Sequence, residues 1–284
     1  MLKLQFAAGL LLCSLLSATP AVAQLISVES PLVQEFTVEP GSSHTGSVTL
    51  LNLSDQPASV VVYVNDFFQS SPGEASFSDP RGSTHGRSNA SWLGITEPIV
   101  QLQPLERRTV NVSIQVPTSP GSPRGTYWSA VMVESMESYR RRTSPTAAGS
   151  AARYSMTMTT SYRTAIIFAT TMPDSESKSI SFLGVSTRPT TDGHLLQVDL
   201  RNNGTTAIRG GRSWVEVYDV EGRKRAEIEL DPFQILLPGN TYRRDVQLAG
   251  DQLGRGFYRT LVVVDAGPDA MFGTQATIRL APSP

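Results

Sequence analysis

One uninterrupted stretch of the sequence constrains the fold more than any other. Between Arg153 and Pro173 the chain contains no Gly, no Pro and no acidic residue, and Thr, Tyr, Ile and Phe are frequent. This composition is typical of a pleated strand surface. We therefore predict one long β-strand here, with an all-β fold built around it.

The two faces of this strand change character along its length. Side chains alternate between the faces of a strand. One face then carries Tyr154, Met156, Met158, Thr160 and Tyr162. Opposite them lie mostly hydroxyl side chains and then Arg163, whereas both faces are apolar over 165–169. The pattern predicts a strand that is half exposed at first and buried at its end.

The N-terminal residues have the organisation of an export signal. Lys3 precedes an apolar run at 4–16, and small residues at 19–23 suit a cleavage site after Ala23. We predict that residues 1–23 are a signal peptide and that the mature chain is periplasmic or secreted. No later run approaches the roughly 20 apolar residues of a spanning helix, so we expect no integral membrane span.

Cysteine usage and charge narrow the class of protein. Cys13 is the only cysteine, and it lies within the predicted signal. The mature chain would then have no disulfide, and a large apolar core must stabilise it. The formal net charge of −1 argues against nucleic acid as a partner.

Short alternating apolar runs separated by turn residues fill the rest of the chain, and no window has a convincing helical period. Predicted strands of the first half lie at 34–38, 46–53, 59–68, 100–102, 109–116 and 126–134. Those of the second half lie at 180–185, 195–200, 213–220, 227–230, 243–248, 258–264 and 275–280. The number and spacing of these strands predict two tandem immunoglobulin-like β-sandwiches.

Polar and turn-rich segments set the predicted boundaries. Pro173 ends the long strand and opens a polar linker, which places the first domain at 24–173 and the second at 174–284. Two insertions rich in small and polar residues, at 69–90 and 135–152, are predicted to be long loops of the first domain.

The sequence offers little that suits catalysis. A hydrolase needs a base close to a nucleophile, whereas His44, His85 and His194 lie in no recognisable catalytic motif and are predicted to be solvated. We predict that the chain is not an enzyme and needs no cofactor.

Three carboxylates near the first insertion are candidates for a calcium site. Asp66, Glu74 and Asp79 have oxygen ligands of the right kind, but their spacing matches no EF-hand loop. We expect them to be solvated and predict no metal site.

Several motifs of the first domain resemble those of two bacterial families. They are Val-Glu-Pro-Gly at 38–41, Leu-Asn-Leu-Ser at 51–54, Tyr-Val-Asn-Asp at 63–66, Ala-Ser-Trp at 90–92, Leu-Gln-Pro at 102–104 and Gly-Thr-Tyr at 125–127. The chain resembles the WxL-interacting proteins, which are exported two-domain immunoglobulin-like proteins that bind surface components. It also resembles the periplasmic pilus chaperones, whose last first-domain strand pairs with an incomplete subunit.

The chaperone resemblance implies a carboxylate anchor formed by two basic residues, one on the first strand and one on the closing strand. Arg163 could be the second of these, but residues 25–43 contain no Lys or Arg.

An edge strand without proline or inward charge is a template for pairing with another chain. We therefore expect a non-enzymatic binding protein whose protein partner, such as a surface or pilus-like subunit, pairs along the closing strand. The predicted contact residues are Tyr154, Met156, Met158, Thr160, Tyr162 and Arg163. A pilus or surface-fibre assembly chaperone and a structural component of a surface assembly remain as alternatives.

Overall fold

The computed structural model describes residues 26–70, 74–82, 85–118, 124–136, 139–140, 162–172, 178–191, 193–249, 253–267 and 270–281. Within these residues nearly all of the regular secondary structure is β-strand, which confirms the predicted all-β fold. None of the described segments forms an apolar helix of membrane-spanning length. The predicted signal peptide and the predicted boundary at 173–174 lie outside these residues.

Within its described residues, the first sandwich contains ten strands in two sheets. They are β1 (Ile26–Val28), β2 (Val33–Thr37), β3 (Ser43–Asn52), β4 (Ala58–Ser70), β5 (Glu74–Ser78), β6 (Leu93–Ile95), β7 (Ile99–Leu102), β8 (Arg107–Gln115), β9 (Thr126–Ser135) and β10 (Arg163–Thr171). One sheet has the order β1-β3-β8-β6. The other has the order β2-β10-β9-β4-β5, and β7 pairs with β4.

The described part of the second sandwich contains seven strands. They are β11 (Ile180–Thr190), β12 (Gly193–Asn202), β13 (Ser213–Tyr218), β14 (Lys224–Leu230), β15 (Thr241–Ala249), β16 (Gly256–Asp265) and β17 (Met271–Leu280). Its sheets have the orders β11-β12-β15 and β14-β13-β16-β17.

Each sandwich has its own apolar core between its two sheets. In the first, alternate residues of facing strands meet, among them Val48, Val112, Ile114 and Phe168. Leu196, Val215 and Val262 have the same role in the second. β9 is buried along almost its whole length, as expected for a central strand that is apolar on both faces.

The region 69–90 contains more regular structure than the sequence predicts. β4 continues to Ser70, and β5 pairs with it in a hairpin. Phe67 and Phe77 lie directly opposite each other in this hairpin, with ring centroids 5.3 Å apart. An aromatic cross-strand pair stabilises a two-stranded extension of this kind. The residues around this pair are polar, and so the composition of the segment predicts a loop instead of a hairpin.

The two sandwiches contact each other directly. The Thr126 amide donates to the Thr205 carbonyl at 2.9 Å, and the Ala207 amide donates to Thr126 Oγ1 at 2.9 Å. Arg209 and Glu35 form an ion pair across the same junction. The outer face of the β9–β10 sheet is therefore covered at this end by the second sandwich.

Candidate functional site: the edge of β10

β10 has different neighbours along its two halves. It pairs antiparallel with β9 over its whole length, from Arg163 to Thr171. On its other side it pairs with β2, in parallel, only from Ile167 onward. Among the described residues no strand pairs with this second side of Arg163–Ile166. The first part of β10 is therefore a sheet edge.

The hydrogen-bonding directions along β10 follow from its known bonds. The Ile167 amide donates to the Leu32 carbonyl at 2.8 Å, and the Thr171 carbonyl accepts from Val38 at 2.9 Å. Both bonds leave the strand on the β2 side, and directions alternate from residue to residue in a strand. The amides and carbonyls of Arg163 and Ala165 therefore point toward the open edge.

A crossing of the chain between the two sheets explains why β2 does not cover this part of β10. The Glu29 amide donates to the Thr49 carbonyl of the opposite sheet at 2.9 Å. The chain then crosses from one sheet to the other before β2 begins at Val33. Extended backward, the β2–β10 register would place Pro31 opposite Ala165, but residues 29–32 make the crossing and belong to no strand.

Exposed apolar side chains lie beside the outward-pointing backbone groups. Tyr162 is 77% exposed and Leu32 is 43% exposed, and Arg163 is also exposed. Two of the six predicted contact residues, Tyr162 and Arg163, are thus placed at the start of β10. The other four lie outside the described residues, and their role stays a prediction: Tyr154, Met156, Met158 and Thr160.

The buried half of β10 separates two apolar clusters, as the sequence predicts. Ile166 and Phe168 enter the core of the first sandwich. Ile167 and Ala169 face the other way, into a cluster that includes Leu237 of the second sandwich. Ala165 packs at the margin of this second cluster. The open edge is consequently continuous with a rigid apolar base.

A buried polar cluster lies behind β9, where the sequence predicts solvated residues. The Asp66 side chain is 1% exposed and accepts a hydrogen bond from the Ser88 hydroxyl. The ring of His85 is 11% exposed and stacks on Trp128 with centroids 4.7 Å apart. The prediction that His85 and Asp66 are solvated is wrong, because β4 and the stacked indole remove both side chains from water. His194, which is 7% exposed, is buried as well.

This cluster has no arrangement that suits nucleophilic catalysis. Burial lowers the pKa of His85, and the nearby Asp66 carboxylate partly opposes that effect. The distance from His85 Nε2 to Asp66 Oδ1 is 3.9 Å, which is too long for a hydrogen bond. The Ser88 hydroxyl donates to the carboxylate and not to an imidazole base.

A cleft of ≈ 370 Å³ lies between the two sandwiches near this cluster. His85, Arg87 and Trp128 line it from the first sandwich, and Arg201 lines it from the second. Within the described part of the chain, no three His, Cys, Asp or Glu residues are grouped as metal ligands. The cleft therefore offers guanidinium groups and aromatic surface.

No family model matches the sequence. No curated protein matches it either. Solved structures with a similar outline include a chaperone–tip adhesin complex of CFA/I fimbriae biogenesis, at 13% identity and TM-score 0.43 over 90% of this chain and 100% of that one. The class 5 fimbriae chaperone CfaA has 12% identity and TM-score 0.42 over 89% and 99% of the respective chains.

A chaperone–tip adhesion subunit complex of archaic Csu pili from Acinetobacter baumannii has 12% identity and TM-score 0.43, over 90% of this chain and 98% of that one. These structures do not confirm the likeness to the WxL-interacting proteins. Similarity at this level does not assign a function.

The sequence analysis missed two residues that shape the site. Pro31 and Leu32 precede the first predicted strand and carry no motif. A proline just before an alternating run can indicate that a strand changes sheets there. That signal identifies the break in pairing, but it does not identify β10 as the strand left uncovered.

Proposed function

We propose that this chain is an exported, non-enzymatic binding protein that accepts an extended segment of a protein partner at the open edge of β10. The observation that carries the proposal is that β2 covers β10 only from Ile167 onward. A partner strand would take the position beside Arg163–Ile166 that β2 leaves vacant. Such strand addition is a common mode of peptide recognition.

Backbone hydrogen bonds would supply the affinity. The outward amides and carbonyls of Arg163 and Ala165 provide four bonding groups, because donor and acceptor of one residue point to the same side. If the strand extends back through 154–161, as the sequence predicts, every second residue adds another pair. Tyr154, Met156, Met158 and Thr160 would then line one face of the enlarged site.

Side chains around the edge would supply selectivity. Tyr162 and Leu32 present exposed apolar surface at the edge, and Arg163 adds a positive charge. A partner segment with apolar side chains at alternate positions would bury these groups. Burial of apolar area contributes about 25 cal/mol per Å², so an aromatic ring and an isobutyl group can bias the choice of partner.

An assembly chaperone is the alternative within the binding class, and the cleft between the sandwiches supports it. The chaperone resemblance implies that basic residues hold a terminal carboxylate. Arg163 lies at the start of β10, while Arg87 and Arg201 line the cleft. A partner peptide with a free C-terminus should bind more tightly than its C-terminal amide if the cleft has this role. Equal affinities would leave strand pairing without a carboxylate anchor.

A photo-cross-linking experiment tests the strand proposal. A benzophenone amino acid replaces Tyr162 in the producing cell, and a second version carries it at Val220, which is 78% exposed in the second sandwich. We expect a discrete adduct from position 162 and not from position 220. Its partner peptide should be one contiguous alternating segment.

Two substitutions of Arg163 make the test specific. Arg163→Pro removes an amide that points to the edge and should abolish the adduct, whereas Arg163→Ala keeps the amide and should retain it. An adduct that survives Arg163→Pro would overturn strand pairing, and so would identical adducts from both cross-linker positions.

A further inference from the structure

A second open sheet edge lies at the far side of the second sandwich. β17 is the outermost strand of its sheet and pairs only with β16 among the described strands. The Ala276 carbonyl faces β16, since it accepts from the Thr260 hydroxyl at 3.1 Å. The Arg279 carbonyl faces away from β16 and accepts from Thr187 of β11 at 3.2 Å.

These two bonds fix the directions of the remaining backbone groups. Because directions alternate along a strand, odd-numbered residues of β17 project their amides and carbonyls outward. Arg279 is bonded to Thr187, and the other residues with outward backbone groups are Met271, Gly273, Gln275 and Thr277. These four residues are exposed as well, and Met271 is 66% exposed.

Other outer strands of this sandwich carry features that hinder edge-to-edge pairing. β14 carries the charged residues Lys224, Arg225, Glu227 and Glu229. β11 contains Arg188, Pro189 and an irregularity in its ladder at Phe182. Between Met271 and Thr277, by contrast, β17 has no charge and no proline, and its ladder with β16 is regular. An edge of this kind is free to pair with another strand.

We propose that a second copy of this chain pairs with this edge, antiparallel and about a two-fold axis at Thr274. Thr274 is the midpoint of the open stretch, so the axis makes the stretch complementary to itself. Met271 then meets Thr277 of the copy, and Gly273 meets Gln275. Each such pair exchanges two bonds, which gives about eight backbone hydrogen bonds in all.

Side chains are compatible with this register on both faces of the joined sheet. The outer face places no charge opposite a like charge, because none of the four outward residues is charged. On the inner face Phe272 lies opposite Ala276 of the copy, where the small methyl group leaves room for the ring. Both residues are partly exposed in the single chain, and pairing would remove apolar surface from water.

This inference concerns a different edge and a different partner from those of the proposed function. The test is sedimentation velocity of the full chain over a range of concentrations. We expect a monomer–dimer equilibrium, which Gln275→Pro weakens about tenfold or more because each copy loses an outward amide. Gln275→Thr, which keeps the amide, should dimerise like the parent.

A cysteine experiment tests the register. In a Cys13→Ser background, Thr274→Cys places two thiols at a non-hydrogen-bonded pair with Cα atoms about 4.5 Å apart, within disulfide range. We expect an intermolecular disulfide on mild oxidation. Gln275→Cys should give no disulfide. Residue 275 pairs with Gly273 of the copy, so residue 275 of the copy is a diagonal neighbour at about 7–8 Å.

Three results would overturn the inference. One is a monomer at every concentration, and another is a dimer that Gln275→Pro does not weaken. The third is equal disulfide formation by the two cysteine variants. Arg163→Pro should leave the dimer intact, so loss of partner binding at β10 and loss of self-association at β17 are distinguishable.

Discussion

Asn52 and Asn202 have equivalent positions in the two sandwiches and make equivalent hydrogen bonds. Asn52 is the last residue of β3 and is fully buried. Its amide donates to the carbonyls of Gln56 at 2.7 Å and Gln103 at 3.0 Å, and its Oδ1 accepts from the Ser54 amide at 3.0 Å. One side chain thus closes a turn and ties it to a distant loop.

Asn202 repeats this arrangement at the end of β12. Its amide donates to the carbonyls of Thr206 at 2.9 Å and Leu236 at 2.8 Å, and its Oδ1 accepts from the Gly204 amide at 2.8 Å. In both sandwiches the acceptor carbonyl in the turn lies four residues after the asparagine, and the donor amide lies two residues after it. This match supports the interpretation that the two halves are copies of one sandwich type.

Replacing either asparagine should therefore destabilise its sandwich. Asn202→Ala leaves buried backbone groups without partners, at about 1–3 kcal/mol each, so we expect a loss of about 3 kcal/mol in the free energy of unfolding. Chemical denaturation measures it. Asn203→Ala, at an exposed neighbouring position, should change stability by less than about 0.5 kcal/mol. Similar losses for both variants would refute the role given to Asn202.

Much of the fold could be predicted from the sequence because its strands alternate strongly. Val110, Val112 and Ile114 are buried and their neighbours face water, as period-two patterning requires. β9 is apolar on both faces, and it is buried and central in its sheet. The short strands β1 and β6 were missed, since three residues carry too little pattern to distinguish from a loop.

The site was only partly predictable, since pairing depends on which strands become neighbours. Composition indicates that the closing strand can pair, but the position where β2 begins depends on the crossing between the sheets at 29–32. The burial of His85 and Asp66 also escaped prediction. Both follow from the stacking of His85 on Trp128 and from the course of β4, which bring distant segments together.

Proline substitutions along β10 should reveal the alternation of its hydrogen bonds. Thr164→Pro removes an amide that points to β9 and should cost about 3 kcal/mol or more. Arg163→Pro removes an amide that points to the open edge and should cost less than about 1 kcal/mol. Denaturation curves give both values. The assignment of directions fails if Arg163→Pro is as damaging as Thr164→Pro.

Gly125 should resist substitution because the second sandwich approaches it closely. Its φ of +126° disfavours other residues, and a Cβ there would lie 2.3 Å from the Thr205 carbonyl oxygen. We expect Gly125→Ala to destabilise the protein by at least about 2 kcal/mol and to weaken the Thr126–Thr205 contact between the sandwiches. Thermal unfolding and amide exchange at Thr126 measure these effects. Gly184→Ala, which meets no atom within 4 Å, is the matched control and should be nearly neutral.

The buried imidazole of His85 should make stability depend on pH. Burial lowers its pKa below the ordinary histidine value of 6.5, so near that pH the unfolded state binds a proton more readily than the folded state. Stability should then fall as the pH drops below about 6.5, down to the lower pKa of the folded state. His85→Phe keeps a ring to stack on Trp128 but cannot titrate, so its stability should fall less over the same interval. Unfolding free energies measured in steps from pH 7.5 to 5 give the comparison. Parallel pH profiles for the two proteins would mean that His85 does not contribute to the slope.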